Sequence, residues 1–222
     1  MSKETIALFG ATGDTGSQVV KFGLEQGFHI KALARTPSKI SVQDPNLTVI
    51  QGDFENTQAI KAVLKGANYV IVCAGGNVKV KKYVPIMEKF ITTQLWPAMI
   101  VETSVKVFLY QAGALSVEPG KTLPMSMKLM KSMADCFMRL SPMVADNDAV
   151  ISFIDSQTKT PFKVIVTRPG GIKKGDPTKS GLEASDSPSM STMVTFPDLA
   201  LFNLKAIKDE SLYGKYPYVV TA

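Results

Sequence analysis

Three glycines at a fixed spacing constrain the fold of this chain more than any other feature of the sequence. They lie in the stretch GATGDTG, residues 10–16. Before them, Thr5–Phe9 is a short apolar run with the composition of a buried strand. After them, residues 17–24 place apolar side chains at helical spacing. The glycines therefore predict a tight turn between a strand and a helix.

Such a turn is suited to holding a pyrophosphate. Gly10 can adopt a backbone conformation closed to other residues, Gly13 lets the main chain approach the anion, and Gly16 lets the helix lie close to the strand. The N–H groups of the first helical turn, together with the helix dipole, favour negative charge at this point. A glycine turn that binds no ligand is the alternative interpretation.

The end of the second predicted strand indicates which dinucleotide is bound. That strand covers residues 28–34 and is followed by Arg35-Thr36-Pro37. In a dinucleotide-binding fold, a carboxylate here hydrogen-bonds the ribose 2′-hydroxyl, whereas an arginine accommodates a 2′-phosphate. No carboxylate is near Arg35 in the sequence, Lys39 lies within reach, and a guanidinium matches a phosphate in charge and geometry. The sequence therefore predicts NADP(H) in preference to NAD(H), unless Arg35 is only a surface residue.

Strand and helix patterns alternate along the rest of the chain. The later predicted strands are 47–54, 69–74, 105–110, 162–167, 193–196 and 216–220, and the later predicted helices are 56–66, 82–103, 125–143, 145–156 and 197–207. The long helix 82–103 has a kink or a late start at Trp96-Pro97, and residues 173–191 have the composition of a long mobile loop. The last strand contains Pro217 and is expected at a sheet edge.

This alternation implies right-handed crossovers and a mostly parallel sheet with helices on both faces. We therefore predict a Rossmann-type, doubly wound α/β fold in a single domain covering residues 1–222. The side of the domain that meets the substrate is expected from residues 112–143 and 170–196.

Composition narrows the classes of partner. No apolar run approaches the ~20 residues that span a bilayer, so no membrane partner is expected. No signal peptide is expected either, because the first predicted strand begins at about Glu4. The net charge of +6 suggests an anionic partner, but the lysines are scattered and not interleaved with aromatic residues. A phosphate-bearing cofactor is thus predicted rather than a nucleic acid.

The remaining residue counts add smaller constraints. Cys73 and Cys136 are predicted to be reduced thiols in a cytoplasmic protein. His29 is the only histidine and is expected to be structural, and no metal site is predicted. The chain is expected to be a monomer or a homodimer that acts on a small-molecule substrate.

Several short motifs occur together in one known family. They are the glycine turn at residues 10–16, Arg35, Gly52-Asp53, Cys73–Gly76 and Thr167–Ile172. In order and spacing they resemble the atypical short-chain dehydrogenases/reductases, specifically the NmrA-like and flavin/biliverdin-reductase-like branch. The resemblance covers nearly the whole chain, but the motifs do not identify a substrate.

The resemblance implies a set of cofactor contacts, carried over by motif. The pyrophosphate would be held by Thr12, Asp14, Thr15 and Gly16, within the turn of Gly10 and Gly13, and the 2′-phosphate by Arg35 and Thr36. The adenine would meet Asp53 and Phe54, and its ribose would meet Ala74, Gly75 and Gly76. The nicotinamide would lie near Tyr110–Gly113, including Gln111, with Pro169, Gly170 and Ile172 on its carboxamide side.

The catalytic residues usual in that family are missing. Short-chain dehydrogenases use a tyrosine acid, a lysine four residues later that lowers its pKa, and a serine after the fifth strand. No Tyr-x-x-x-Lys occurs here, and Gln111-Ala112-Gly113 replaces the serines. Gln111, Ser116 and Asp146 are left as tentative catalytic residues. A helix-capping or solvent-facing role is the alternative for Asp146 and for Asp148.

Two functions fit this pattern. The first is a reductase that transfers hydride from NADPH to a flat conjugated acceptor, such as a flavin, a quinone or a tetrapyrrole. In the reductase branch the proton can come from solvent, so positioning the two rings supplies most of the catalysis. The second is a non-catalytic NADP(H)-binding sensor, as in the NmrA-like regulators.

A methionine-rich helix adds one further hypothesis. Its apolar face carries Met127, Met130, Ala134, Phe137 and Met138. Methionine adapts to irregular apolar ligands, so this face is either the lining of a substrate pocket or an ordinary core-facing surface.

Overall fold

The structure is a computed structural model, which describes residues 3–75, 84–138, 140–189 and 193–222. The side chains of residues 134, 137 and 138 are not described. Gly76, which was predicted to contact the adenine ribose, lies outside the described residues, as do the first two residues of the helix predicted from residue 82.

A central sheet of eight strands organises the fold. The strands of the chain are β1 (Thr5–Phe9), β2 (His29–Ala34), β3 (Leu47–Gln51), β4 (Tyr69–Val72), β5 (Val107–Gln111), β6 (Lys163–Pro169), β7 (Gly171–Lys173), β8 (Leu182–Ser185), β9 (Met193–Thr195) and β10 (Tyr218–Thr221). The order in the sheet is β3-β2-β1-β4-β5-β6-β10-β8, and all neighbours are parallel except β8 and β10. Strands β7 and β9 form a separate parallel pair. The predicted Rossmann-type sheet is confirmed.

Helices cover both faces of this sheet. They are α1 (Asp14–Glu25), α2 (Thr57–Leu64), α3 (Met87–Lys89), α4 (Trp96–Val101), α5 (Met125–Met138), α6 (Ser141–Ser156) and α7 (Phe196–Ala206). Helices α1 and α7 pack on one face, and α2, α4 and α6 pack on the other. Successive strand residues alternate between the two cores, so β1 is buried along its whole length. This double burial explains the uninterrupted apolar runs of the central strands.

The long helix after β4 is continuous but changes its register. A π-helical segment, Phe90–Leu95, joins α3 to α4, and the N–H of Trp96 donates to the carbonyl oxygen of Ile91, five residues earlier. Pro97 follows directly and has no N–H to donate to an α-helical partner. The irregularity predicted at Trp96-Pro97 is thus a wider helical turn that ends where the proline begins.

Two predictions about the end of the chain are wrong. Residues 173–191, predicted to be a loop, contain β8, which pairs with β10 in antiparallel orientation. Strand β10 therefore lies between β6 and β8 rather than at an edge. The pattern of β8 gives little warning, because its four residues are only partly buried or exposed. Pro217 precedes β10, where its carbonyl accepts from the N–H of Arg168.

Candidate functional site

The glycine turn between β1 and α1 has the geometry that its sequence predicts. Gly10 has φ of +99°, and a Cβ on it would lie 2.7 Å from the backbone nitrogen of Ala74. A Cβ on Gly16 would lie 2.1 Å from the carbonyl oxygen of Gly10. The N–H of Gly13 donates to that same oxygen at 2.9 Å. A side chain at residue 10 would therefore clash with the backbone after β4, and one at residue 16 would push α1 away from the end of β1.

The amino end of α1 is open toward a ligand. Helix α1 begins at Asp14, and its preceding residue, Gly13, provides no side-chain cap. The N–H groups of a first helical turn need acceptors from outside the helix, and an anion can supply them. Thr12 and Gly13 are exposed beside this turn, whereas Thr15 and Gly16 are buried beneath it. The turn thus fits the pyrophosphate of a dinucleotide.

A cavity of about 740 Å³ opens beside the turn, at the carboxyl ends of β1 to β4. Its size is typical of small-ligand sites. Of the predicted contacts, its wall contains Gly10, Thr12, Gly13, Arg35, Asp53, Phe54, Ala74 and Gly75. The predicted contacts outside that wall are Asp14, Thr15, Gly16, Thr36, Gln111, Pro169, Gly170 and Ile172. The cavity therefore matches the predicted adenosine end of the site.

The adenosine end of the site carries exposed positive charge. Arg35 is exposed on the cavity wall, and its guanidinium has no hydrogen-bond or ion-pair partner among the described residues. Lys39 is also exposed, at the end of the short 3-10 turn Pro37–Lys39. Asp53, by contrast, is hydrogen-bonded to the backbone, because its Oδ1 accepts from the N–H of Glu55 at 3.0 Å.

Sequence reasoning missed the far wall of the cavity. Phe90 stacks on Phe54 with ring centroids 4.1 Å apart, and Lys89 forms an exposed 2.8 Å ion pair with Glu55. Lys89 and Phe90 come from the helix after β4, more than thirty residues along the chain from Phe54. No local motif marks them, because only the crossover of the chain brings that helix over β3.

A polar cluster lies at the adjacent ends of β4 and β5. Asn203, on α7, is fully buried, and its Nδ2 donates to Gln111 Oε1 at 3.0 Å and approaches Cys73 Sγ at 3.8 Å. Burial raises the pKa of the Cys73 thiol to about 12, and the contact with Asn203 opposes this shift more weakly. Asn203 belongs to no family motif, so no sequence pattern indicates that it contacts Gln111.

The Arg168-Pro169 motif serves the loop that follows β5. Arg168 is buried, and its guanidinium donates to the carbonyl oxygens of Tyr216 and Ser116 and pairs with Glu118 at 3.0 Å. It also lies 3.9 Å from the ring centroid of Tyr218. Ser116 Oγ is buried with no hydrogen-bond partner among the described residues. Arg168 thus attaches the loop after β5 to the sheet.

Three consecutive polar residues of α6 form hydrogen bonds with other parts of the fold. Asp146 is 3% exposed and accepts from the N–H groups of Ile86, Met87 and Glu88 at 2.8–3.0 Å. The next residue, Asn147, accepts from the hydroxyl of Tyr110. Asp146 therefore has the geometry of a helix cap, the alternative given for it above.

Asp148 likewise serves the backbone. It accepts from the N–H of Val117 at 2.8 Å and lies 3.7 Å from Lys131. It helps Arg168 to hold the loop after β5.

The methionine-rich helix α5 is only partly a core element. Met127 is buried and Met130 is partly buried, which agrees with the predicted apolar face. The side chains of Ala134, Phe137 and Met138 lie outside the described part of the structure. A second apolar row, Met125, Leu129 and Met133, is 55–79% exposed.

Comparison with known proteins agrees with this geometry. A family model described as NAD(P)H-binding matches residues 10–210. The chain belongs to the NAD(P)H-binding family. This family agrees with the predicted resemblance to the NAD(P)-binding atypical short-chain dehydrogenases/reductases and supports the predicted nicotinamide cofactor.

Among curated proteins, the similarity is local. The chain is 37% identical over 75 residues to oxidase pynE of Aspergillus niger, which covers 29% of this chain and 27% of that protein. It is 36% identical over 75 residues to reductase pytE of Aspergillus terreus, covering 29% and 28%. The match thus spans about a quarter of the length of these relatives.

Among solved structures, the similarity covers the whole fold. ChuY, an anaerobilin reductase from Escherichia coli O157:H7, has a TM-score of 0.74 at 15% identity, covering 99% of this chain and 97% of that one. The oxidoreductase ylbE from Lactococcus lactis has a TM-score of 0.71 at 16% identity, covering 98% and 91%.

The described residues lack two kinds of feature. No helix there has the length and apolarity needed to cross a membrane. Likewise, that part of the chain holds no group of three or more His, Cys, Asp or Glu side chains placed to bind a metal ion.

Proposed function

We propose that this NAD(P)H-binding protein is an NADPH-dependent reductase of a flat conjugated acceptor, such as a flavin, a quinone or a tetrapyrrole. One observation carries the proposal. The polar residues that α6 offers, Asp146, Asn147 and Asp148, are each bound to another part of the fold, and no Tyr-x-x-x-Lys pair exists in the sequence. A reaction that takes its proton from solvent fits such a site better than alcohol oxidation does.

The preference for NADPH rests on Arg35. Its guanidinium is exposed at the cavity wall without a partner, and it follows β2, where a dinucleotide fold places the 2′-substituent of the ribose. A 2′-phosphate would give this guanidinium a charge-assisted, two-pronged partner. NADH offers no anion at that position.

In this proposal, the residues of this chain bind the cofactor and orient the acceptor. The glycine turn and the amino end of α1 would hold the pyrophosphate, and the cavity between Arg35 and Phe54 would take the adenosine. When bound, the reduced nicotinamide supplies a hydride. The loop attached through Arg168 lies at the end of β5, where it would lie beside the acceptor and orient it against the nicotinamide. The printed names of relatives, reductase pytE and anaerobilin reductase ChuY, are consistent with reduction of an acceptor.

The test is turnover on a panel of acceptors. The pure protein is mixed anaerobically with NADPH and with flavins, quinones or linear tetrapyrroles, and the loss of NADPH absorbance is followed. At least one acceptor is expected to be reduced, and Arg35→Ala should slow that reaction with NADPH while leaving the NADH rate unchanged. Tight NADPH binding without turnover on any acceptor would contradict a reductase.

That contrary result would favour a second function, a non-catalytic NADP(H) sensor. The exposed apolar row of Met125, Leu129 and Met133 is the observation that supports it, since such a surface is suited to a protein partner. A sensor should bind its partner with an affinity that changes when NADP(H) is added. A pull-down that is insensitive to the cofactor would rule this function out.

A further inference from the structure

Asn203 lies outside every motif that predicts the cofactor site, yet it bonds to a predicted site residue. It is on α7 with no exposed surface, and its Nδ2 donates to Gln111 Oε1 at 3.0 Å. Gln111 is the last residue of β5, where the carboxyl edge of the sheet faces the ligand in folds of this type. Cys73, which Asn203 also approaches, forms part of the cavity wall.

This contact fixes which end of the Gln111 amide faces outward. A glutamine amide has an oxygen that accepts and a nitrogen that donates. Because Asn203 occupies Oε1, the Gln111 Nε2 is directed away from α7, and the described residues offer it no hydrogen-bond partner. Gln111 is only partly buried, so this nitrogen is accessible at the end of the strand. Gln111 therefore presents a donor, not an acceptor.

The surroundings of Asn203 show what this side chain contributes. Its Nδ2 has a second, weaker contact with Cys73 Sγ at 3.8 Å. Its Oδ1 is buried without a hydrogen-bond partner among the described residues. An unpartnered buried oxygen lowers stability, and an apolar residue at this point of α7 would avoid the cost. Compared with an apolar residue at position 203, an asparagine adds the hydrogen bond to Gln111.

We propose that Asn203 is a positioning residue that holds the Gln111 amide with its N–H toward the ligand. Gln111 then donates to a carbonyl oxygen, namely the carboxamide oxygen of the nicotinamide, and so fixes the orientation of that ring at the end of β5. This inference rests on the proposed function, because it requires the bound cofactor to extend from the cavity past Cys73 to Gln111.

Calorimetric titration with two ligands tests it. One ligand is NADPH, and the other is 2′-phosphoadenosine diphosphoribose, which lacks the nicotinamide. Asn203→Ala and Gln111→Glu are each expected to weaken NADPH binding about five- to tenfold, the size of one lost hydrogen bond. Neither should change the affinity for the shorter ligand by more than about twofold, and the double variant should lose no more than Gln111→Glu alone.

Two further variants separate positioning from folding. Asn203→Asp has nearly the same shape but offers no amide donor, so Gln111 should turn round and the loss should equal that of Asn203→Ala. Asn68→Ala is the matched control, since Asn68 Oδ1 accepts from the N–H of Thr5 at the amino end of β1, whereas the cavity lies at the carboxyl ends of the strands. It should leave the ratio of the two affinities unchanged.

Three results would overturn the inference. They are equal losses for both ligands, additive losses in the double variant, and normal NADPH binding by Asn203→Asp. Wild-type protein that binds no NADPH would overturn the proposed function along with the inference. Wild-type protein that binds NADPH but reduces no acceptor would contradict the reductase alone, since the binding comparison still decides the role of Asn203.

Discussion

The two halves of the predicted cofactor site use their polar residues differently. At the adenosine end, Arg35 on the cavity wall has no partner among the described residues, and no side chain caps the amino end of α1 beside it. In the other half, Gln111 at the end of β5, Arg168 in β6 and Asp146 on α6 are each engaged with another part of the protein. The first half is a set of free binding groups, whereas the second is largely a framework.

This difference shows that residue type alone does not predict role. A buried carboxylate such as Asp146 resembles a general acid in the sequence, yet three backbone N–H groups at the start of α3 occupy it. The unpaired N–H groups at the amino end of α1 can be predicted from a local motif, because the conformation of the glycine turn leaves them without an acceptor. Polar residues that stabilise the fold, such as Asp146 and Arg168, bind partners that are distant in the sequence. Those partners can therefore be identified only in the folded chain.

The largest effect is expected at Gly16, which keeps the binding half in shape. In Gly16→Ala the new Cβ would meet the Gly10 carbonyl oxygen at 2.1 Å, so the turn must move. We expect a loss of about 3 kcal/mol in the free energy of unfolding, measured in urea, and loss of NADPH binding. Gly66→Ala is the control, since its φ of +71° is strained but open space surrounds it. A Gly16→Ala variant as mild as this control would contradict the close-packed turn.

Asp146 tests whether the second half is a framework. Asp146→Ala leaves three N–H groups at the start of α3 without an acceptor and should cost about 2–3 kcal/mol in the free energy of unfolding. Asp148→Ala removes one backbone acceptor and should cost about 1 kcal/mol. If Asp146→Ala instead abolished turnover at unchanged stability, Asp146 would be catalytic.

Substitution of Arg35 tests whether the adenosine half of the site binds the 2′-phosphate. Arg35→Ala should weaken NADPH binding by about 1.5–3 kcal/mol relative to NADH, as expected for a lost charge-assisted hydrogen bond. Arg35→Lys keeps the charge but not the planar fork, so its effect should be intermediate. Titration of each variant with both cofactors gives the comparison. Equal effects on NADPH and NADH would mean that Arg35 does not bind the phosphate.

The smallest effect is expected for the ion pair of Glu55 and Lys89 on the far wall of the cavity. Both side chains are at least 70% exposed, and exposed pairs add little to stability. Lys89→Ala should leave the urea midpoint unchanged and alter NADPH affinity only slightly, with the difference vanishing at high salt. A large, salt-independent loss of affinity would show instead that Lys89 contacts the cofactor.

Much of the fold could be read from local patterns. The apolar runs predicted the strands from β1 to β6 to within a few residues. The inner strands β1, β4 and β5 are buried almost throughout and are continuous apolar runs, whereas the edge strand β3 is only partly buried. Helix α2 lies within the predicted helix 56–66, and the side chain of Asn56, the first predicted residue, caps it by accepting from the N–H of Ala59. The pattern failed at β8, whose residues are hardly buried and which forms only because β10 lies beside it.

The sequence by itself determined the glycine turn and the position of Arg35 at the end of β2, because both depend on a few consecutive residues and on backbone conformation. Only the tertiary structure decided that Asp146 caps α3, that Arg168 holds the loop after β5, and that Asn203 meets Gln111. These contacts join residues that lie tens of positions apart, and a hydrogen bond across such a separation leaves no periodic or local pattern in the chain.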